Sequence, residues 1–117
     1  MTLGELATQL EWEHLTPELD EAAERPVEYA YATDLLSDVL GCAPHGGVLI
    51  TIQAHLNAVA VAVHAEQAAV VFASGRRIDD KVRARAVEEG IPLYGSTDTA
   101  FDVAGKLYAL GLRGRRL

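Results

Sequence analysis

Residues 48–64 read VLITIQAHLNAVAVAVH, and they set Gln53, His55 and Asn57 between two segments built for burial. An imidazole in such a place is the one side chain able to change charge near neutrality. Ser74-Gly75-Arg76-Arg77 offers a second kind of chemistry. Its small residues let a backbone approach an anion, and its guanidiniums can neutralise one. Gly95-Ser96-Thr97-Asp98-Thr99 adds hydroxyls, with Thr97 and Thr99 as candidate contacts. Asp34 and Asp38 are spaced i, i+4, so on a helix they would share one face. Thr33, Asn57, Asp79 and Thr97 or Asp98 are also residue types wanted at helix N-caps.

Several familiar reaction centres are missing. His14, His45, His55 and His64 lack the short-gap pairing of a zinc site, and Cys42 is the sole cysteine. SGRRIDD is not a Walker-type phosphate loop, and no GxSxG elbow occurs. The sequence assigns no metal ligand and no cofactor.

The elements that must position these residues follow from pattern. Thr2 with Glu5 forms a capping box that opens a helix through about Leu10. Residues 11–26, EWEHLTPELDEAAERP, read as a short extended piece plus a loop or helical turn. VEYAYA is rich in β-formers, after which Thr33 is expected to cap a helix, DLLSDVL, stopped by Gly41. VLIT, AAVVF and IPLY are buried strands, and continuous apolar runs of this kind mark parallel ones. Parallel neighbours need crossovers, so Ala58–Val63 is expected to be helical despite its Ala/Val alternation. Asp79 or Asp80 caps a helix ended by Gly90 and Pro92, and STDT opens a last one closed by Gly111.

The expected architecture is α/β: a small, mostly parallel four-stranded sheet with right-handed helical crossovers. Its order is βαβαβαβα after an N-terminal helix. Residues 1–26 would form that helix and an acidic connecting segment, residues 27–112 the α/β domain and residues 113–117 a basic tail. In such a sheet Asp34, Gln53, His55, Asn57, Ser74, Gly75, Arg76, Arg77, Thr97 and Thr99 all leave the strands at one carboxyl edge. Open α/β folds bind ligands there.

Composition bounds the rest. The 117 residues are 50% hydrophobic and 23% charged, which suits one globular domain. A lone cysteine and no secretory signal fit a reducing cytoplasm. The longest apolar runs fall far short of the roughly 20 residues that span a bilayer. Residues 1–75 carry eleven acids against one base, Arg25, whereas residues 76–117 carry six acids against nine bases. A chain with a net charge of −7 is a poor fit to a nucleic-acid duplex, despite its GLRGRRL end. Residues 54–63 carry no charge, and in TAFDVAGKLYALGL only Asp102 and Lys106 do. Helices apolar nearly all round are buried on several sides, so a homodimer is expected.

Two runs carry a family resemblance: VLITIQAHLNAVAVAV, and AAVVFASGRRIDDKVRARAVEEGIPLYGSTDTAFDVAGKLYALGL. Over roughly Val27 to Leu112 the chain resembles a free-standing DRTGG domain. That domain accompanies some phosphotransacetylases and CBS-domain pyrophosphatases, and is similar to the N-terminal, non-catalytic domain of HPr kinase/phosphorylase. The resemblance implies a regulatory module, often dimeric. Where the family has Asp-Arg this chain has Ala54-His55, and where it has Thr-Gly-Gly this chain has Ala73-Ser74-Gly75.

The expected function is therefore a non-enzymatic regulatory domain, a homodimer sensing a small anionic ligand such as a nucleotide. Gly75 and the N–H groups around it would cradle the anion, Arg76 or Arg77 would neutralise it, and His55 with Asn57 would read a polar edge. A protein-interaction module without a ligand is the alternative. A small hydrolase or transferase using His55 with Asp34 or Asp98 is the third reading.

Overall fold

The apolar runs Val48–Thr51 and Ala69–Phe72 are buried at every residue and pair with each other, Val48 opposite Ala69 and Thr51 opposite Phe72. A backbone buried on both faces must satisfy its polar groups in a ladder, and here the ladder is parallel on both sides. In the computed structural model, which describes residues 1–115, these two strands, β3 and β4, form the centre of the sheet. Ala30–Ala32 (β2) pairs alongside β3, and Leu93–Gly95 (β5) alongside β4, all running the same way. The four parallel strands lie side by side in sequence order.

A fifth strand departs from the four expected. Glu13–His14 (β1) lies antiparallel to β5, with Glu13 opposite Gly95, and gives the order β1-β5-β4-β3-β2. The segment alternates strictly. Trp12 and His14 turn to one face, where both rings pack on Tyr94 at 5.7 and 4.7 Å. Leu15 packs on the opposite face.

The helices divide between the two faces. Leu36–Cys42 (α2), Leu56–His64 (α3) and Asp80–Glu89 (α4) bury Val39, Ala58, Val59, Ala62, Val82 and Ala86 against Leu49, Val70, Phe72 and Leu93. Leu3–Gln9 (α1) and Ala100–Ala109 (α5) bury Leu3, Leu6, Val103 and Leu107 against Val48, Ile50, Val71 and Tyr94. Three consecutive crossovers on one face have a common hand, the outcome expected of βαβ units. Ala58–Val63 is helical, within α3. No helix of the described residues is long and apolar enough to cross a membrane.

The helix ends follow local chemistry. Thr2 and Glu5 form the reciprocal capping box, Asp79 caps α4 through the Val82 N–H, and Gly90 ends α4 in the left-handed region. Thr99, rather than Thr97 or Asp98, caps α5. Around α2 the expected ends are corrected. Thr33 accepts from the Leu35 N–H at 3.1 Å and turns the chain, while the helix starts at Leu36 and runs through Gly41. Asp34 thus lies before the helix and shares no face with Asp38. Asn57 likewise caps nothing, since His55 holds the N-cap position of α3 with no side-chain bond.

Thr16 joins the N-terminal segment to the sheet. Fully buried, its hydroxyl accepts from the Leu93 N–H at 3.0 Å, and the Leu93 carbonyl accepts from the Leu15 N–H at 2.9 Å. Thr16→Val keeps the shape but leaves the Leu93 donor buried and unpaired. Denaturant unfolding should show a loss of about 1–3 kcal/mol; an unchanged midpoint would show that this clasp contributes nothing.

Candidate functional site

Because the parallel strands run the same way, their following loops meet at one edge, but they form two separate arrangements. At the β2–β3 end the loops close on each other. The Asp34 carboxylate accepts from the Thr51 hydroxyl and from the Ile52 N–H, each at 2.8 Å, and Gln53 Nε2 donates to the Asp34 carbonyl at 3.3 Å. Asp34 and Gln53 are thereby committed to holding two loops together. His55 and Asn57 stand exposed at the start of α3.

At the β4–β5–β1 end the loops leave room. A cleft of about 400 Å³ is lined by Glu11, Glu13, Leu15, Gly75, Arg76, Arg77, Ile78, Gly95, Ser96 and Thr97. Its volume lies in the range of small-molecule sites. Leu15 and Ile78 supply apolar floor and belong to the core on the α4 side. Gly95 contributes by having no side chain: a Cβ there would meet only Leu15 and Glu13 side-chain atoms, at 3.7 Å or beyond.

The turn beside the cleft corrects one expectation. Ser74 and Gly75 are both left-handed, φ 59° and 65°, and the Arg76 N–H closes the turn on the Ala73 carbonyl at 3.2 Å. Ser74 N–H donates to the Asp98 carbonyl at 2.7 Å and Gly75 N–H to the Ser96 carbonyl at 2.8 Å. The Ser74 and Gly75 amides expected to cradle an anion are already used in joining the β4 loop to the β5 loop, and the Arg76 amide in closing the turn itself. Any anion here meets the Arg76 and Arg77 side chains instead.

The fold thus brings Gly75, Arg76, Arg77 and Thr97 together, with Ser74 in the adjoining turn. Asp34, Gln53, His55 and Asn57 lie apart from them, and Thr99 is taken up in capping α5, accepting from the Asp102 N–H at 3.3 Å. Glu11, Glu13 and Ser96 were not among the residues expected. The signal for the two glutamates was the alternation of E-W-E-H, in which Trp12 is buried and the flanking carboxylates are exposed, whereas Ser96 stood in the Gly95–Thr99 run without being singled out. Among the described residues, neither arginine forms an ion pair with either glutamate, and no three His, Cys, Asp or Glu side chains gather to hold a metal.

Glu11 is held in an unfavourable conformation. It follows α1 at φ 57°, where its N–H reaches the Thr8 carbonyl and the Trp12 N–H reaches that of Ala7. This helix-ending motif favours glycine. Left-handed backbone costs a residue with a Cβ about 1–2 kcal/mol. Glu11→Gly should therefore raise the thermal midpoint while removing a cleft carboxylate; a lowered midpoint would mean that the glutamate side chain stabilises the fold.

On the α2 side, Tyr31 donates to Asp38 at 2.5 Å. That bond, more than burial, pushes the phenol above its ordinary 10.0. A value raised on folding means the contribution is complete below about pH 10 and is lost as the pH climbs through the folded value. Absorbance titration of wild type against Tyr31→Phe should place the missing phenol above pH 10, and an ordinary titration would contradict the bond.

No protein-family model matches this chain, and no curated protein matches it either.

Proposed function

We propose that this domain is a non-enzymatic ligand-sensing module, working as a homodimer, which takes a small anionic ligand into the cleft between the β4 turn and β1. The observation that carries the reading is the pair Arg76 and Arg77 lining a cleft of about 400 Å³ and forming no ion pair among the described residues. Unpaired guanidiniums beside an apolar floor suit a phosphate or carboxylate. Glu11 and Glu13 across the same cleft favour a ligand whose other end donates hydrogen bonds, as the amino groups of a nucleotide base do. Thr97 offers a hydroxyl beside them, while the buried Ser96 hydroxyl accepts from the Asp98 N–H at 3.1 Å. The resemblance to the DRTGG domain points to the same class of regulatory module.

Thermal shift against nucleotides and phosphorylated metabolites tests this reading. A ligand present at 100 times its Kd stabilises by about 2.7 kcal/mol, several degrees for a domain of this size. The shift should vanish in Arg76→Ala/Arg77→Ala. It should also vanish in Gly95→Val, whose side chain fills the cleft from a position with room for a Cβ. A shift that survives both variants would place the ligand elsewhere, and a flat panel would favour a module that binds only protein.

A further inference from the structure

Helix α5 leaves an unusual face uncovered. Phe101 is 84% exposed and Tyr108 61% exposed, and being seven positions apart they lie on one stripe of the helix. Gly105, between them, has nothing within 4 Å of where a Cβ would stand. Beside the stripe, α5 and the β2 edge border a mostly apolar groove of about 160 Å³, lined by Ala30, Ala32, Ala104, Leu107 and Tyr108 and by Arg113, whose guanidinium stacks 3.9 Å over the Tyr108 ring. An apolar cavity of about 150 Å³ takes up benzene, so this groove has the size of a phenyl ring. The same helix therefore carries a phenyl knob near its start and a phenyl-sized hole near its end.

We propose that a second copy of this chain covers this face, α5 packing antiparallel to its partner about a two-fold axis through Ala104–Gly105. This rests on the homodimer proposed above and gives it a surface. Three features select the same axis. The midpoint of Phe101 and Tyr108 falls between residues 104 and 105, so each Phe101 meets the partner's groove. Ala104 and Gly105 are small, which lets the helices approach. In an antiparallel pair each flank of one helix meets the same flank of the other, so Asp102 faces the partner's Lys106, and the reverse. Lys106 already holds Asp98 at 2.6 Å within its own chain, so its ammonium would sit between two carboxylates. The surface is self-complementary in shape and in charge, as a two-fold interface requires.

Sedimentation of the full chain tests the proposal. The wild type should be a dimer. Phe101→Ala removes the aromatic anchor and should weaken the dimer about thirtyfold or more, whereas Leu35→Ala, at another exposed apolar position, should leave it intact. Asp102→Lys alone and Lys106→Glu alone each place like charges across the axis and should favour monomer. An equimolar mixture of those two variants should recover the dimer, because the heterodimer restores opposite charges at both contacts. A dimer unaffected by Phe101→Ala, or a mixture no tighter than its components, would overturn this surface and leave a homodimer formed elsewhere. A wild type that stays monomeric at about 100 µM would overturn the homodimer as well.

Discussion

Everything in this fold depends on the parallel ladder between β3 and β4. Both strands are buried from end to end, so their backbone groups have no water to turn to and must pair with a neighbouring strand. That demand draws β2 and β5 to the two flanks in sequence order. It also sends each crossover helix back across the same face and delivers every following loop to one edge. Gathering the loops there is a consequence of backbone satisfaction, before any side-chain chemistry is considered.

The edge is then used in two ways. At the β2–β3 end, Asp34 joins two loops through Thr51 and Ile52. At the β4–β5 end the backbone amides join the loops, through Ser74 and Gly75, and the side chains beyond them are left free to face a cleft. Polar groups that close a structure are not available to open one. This is why the cleft is built from Arg76, Arg77 and the β1 glutamates rather than from Asp34 and Gln53, while His55 and Asn57 stand exposed at the start of α3. The antiparallel β1 strand completes it, since without Glu13 opposite Gly95 the cleft would have no far wall.

The class of fold and the helical state of Ala58–Val63 were legible in the chain because long apolar runs and crossover lengths leave few topologies. The caps at Thr2 and Asp79 and the stop at Gly90 were legible because capping is a local interaction. What was hidden depends on distant partners. Asp34 looks like a helix residue in DLLSDVL, yet a strand seventeen residues on recruits it. A two-residue strand such as β1 carries too little pattern to be placed without knowing that β5 offers it an edge. The cradle expected at Gly75 failed for a similar reason, since no local rule states that its amide is spent on Ser96. Half of the candidate edge was therefore visible as residue types, and its division into a closed end and an open end was not.

The central claim is that the open end, and not the end near His55, receives an anion. Amide chemical-shift mapping with pyrophosphate as the probe addresses it directly. The account predicts perturbations at Arg76–Ile78, Gly95–Thr97 and Glu11–Glu13, with His55–Asn57 silent. Shifts centred on Asp34, Gln53 and His55 would contradict it.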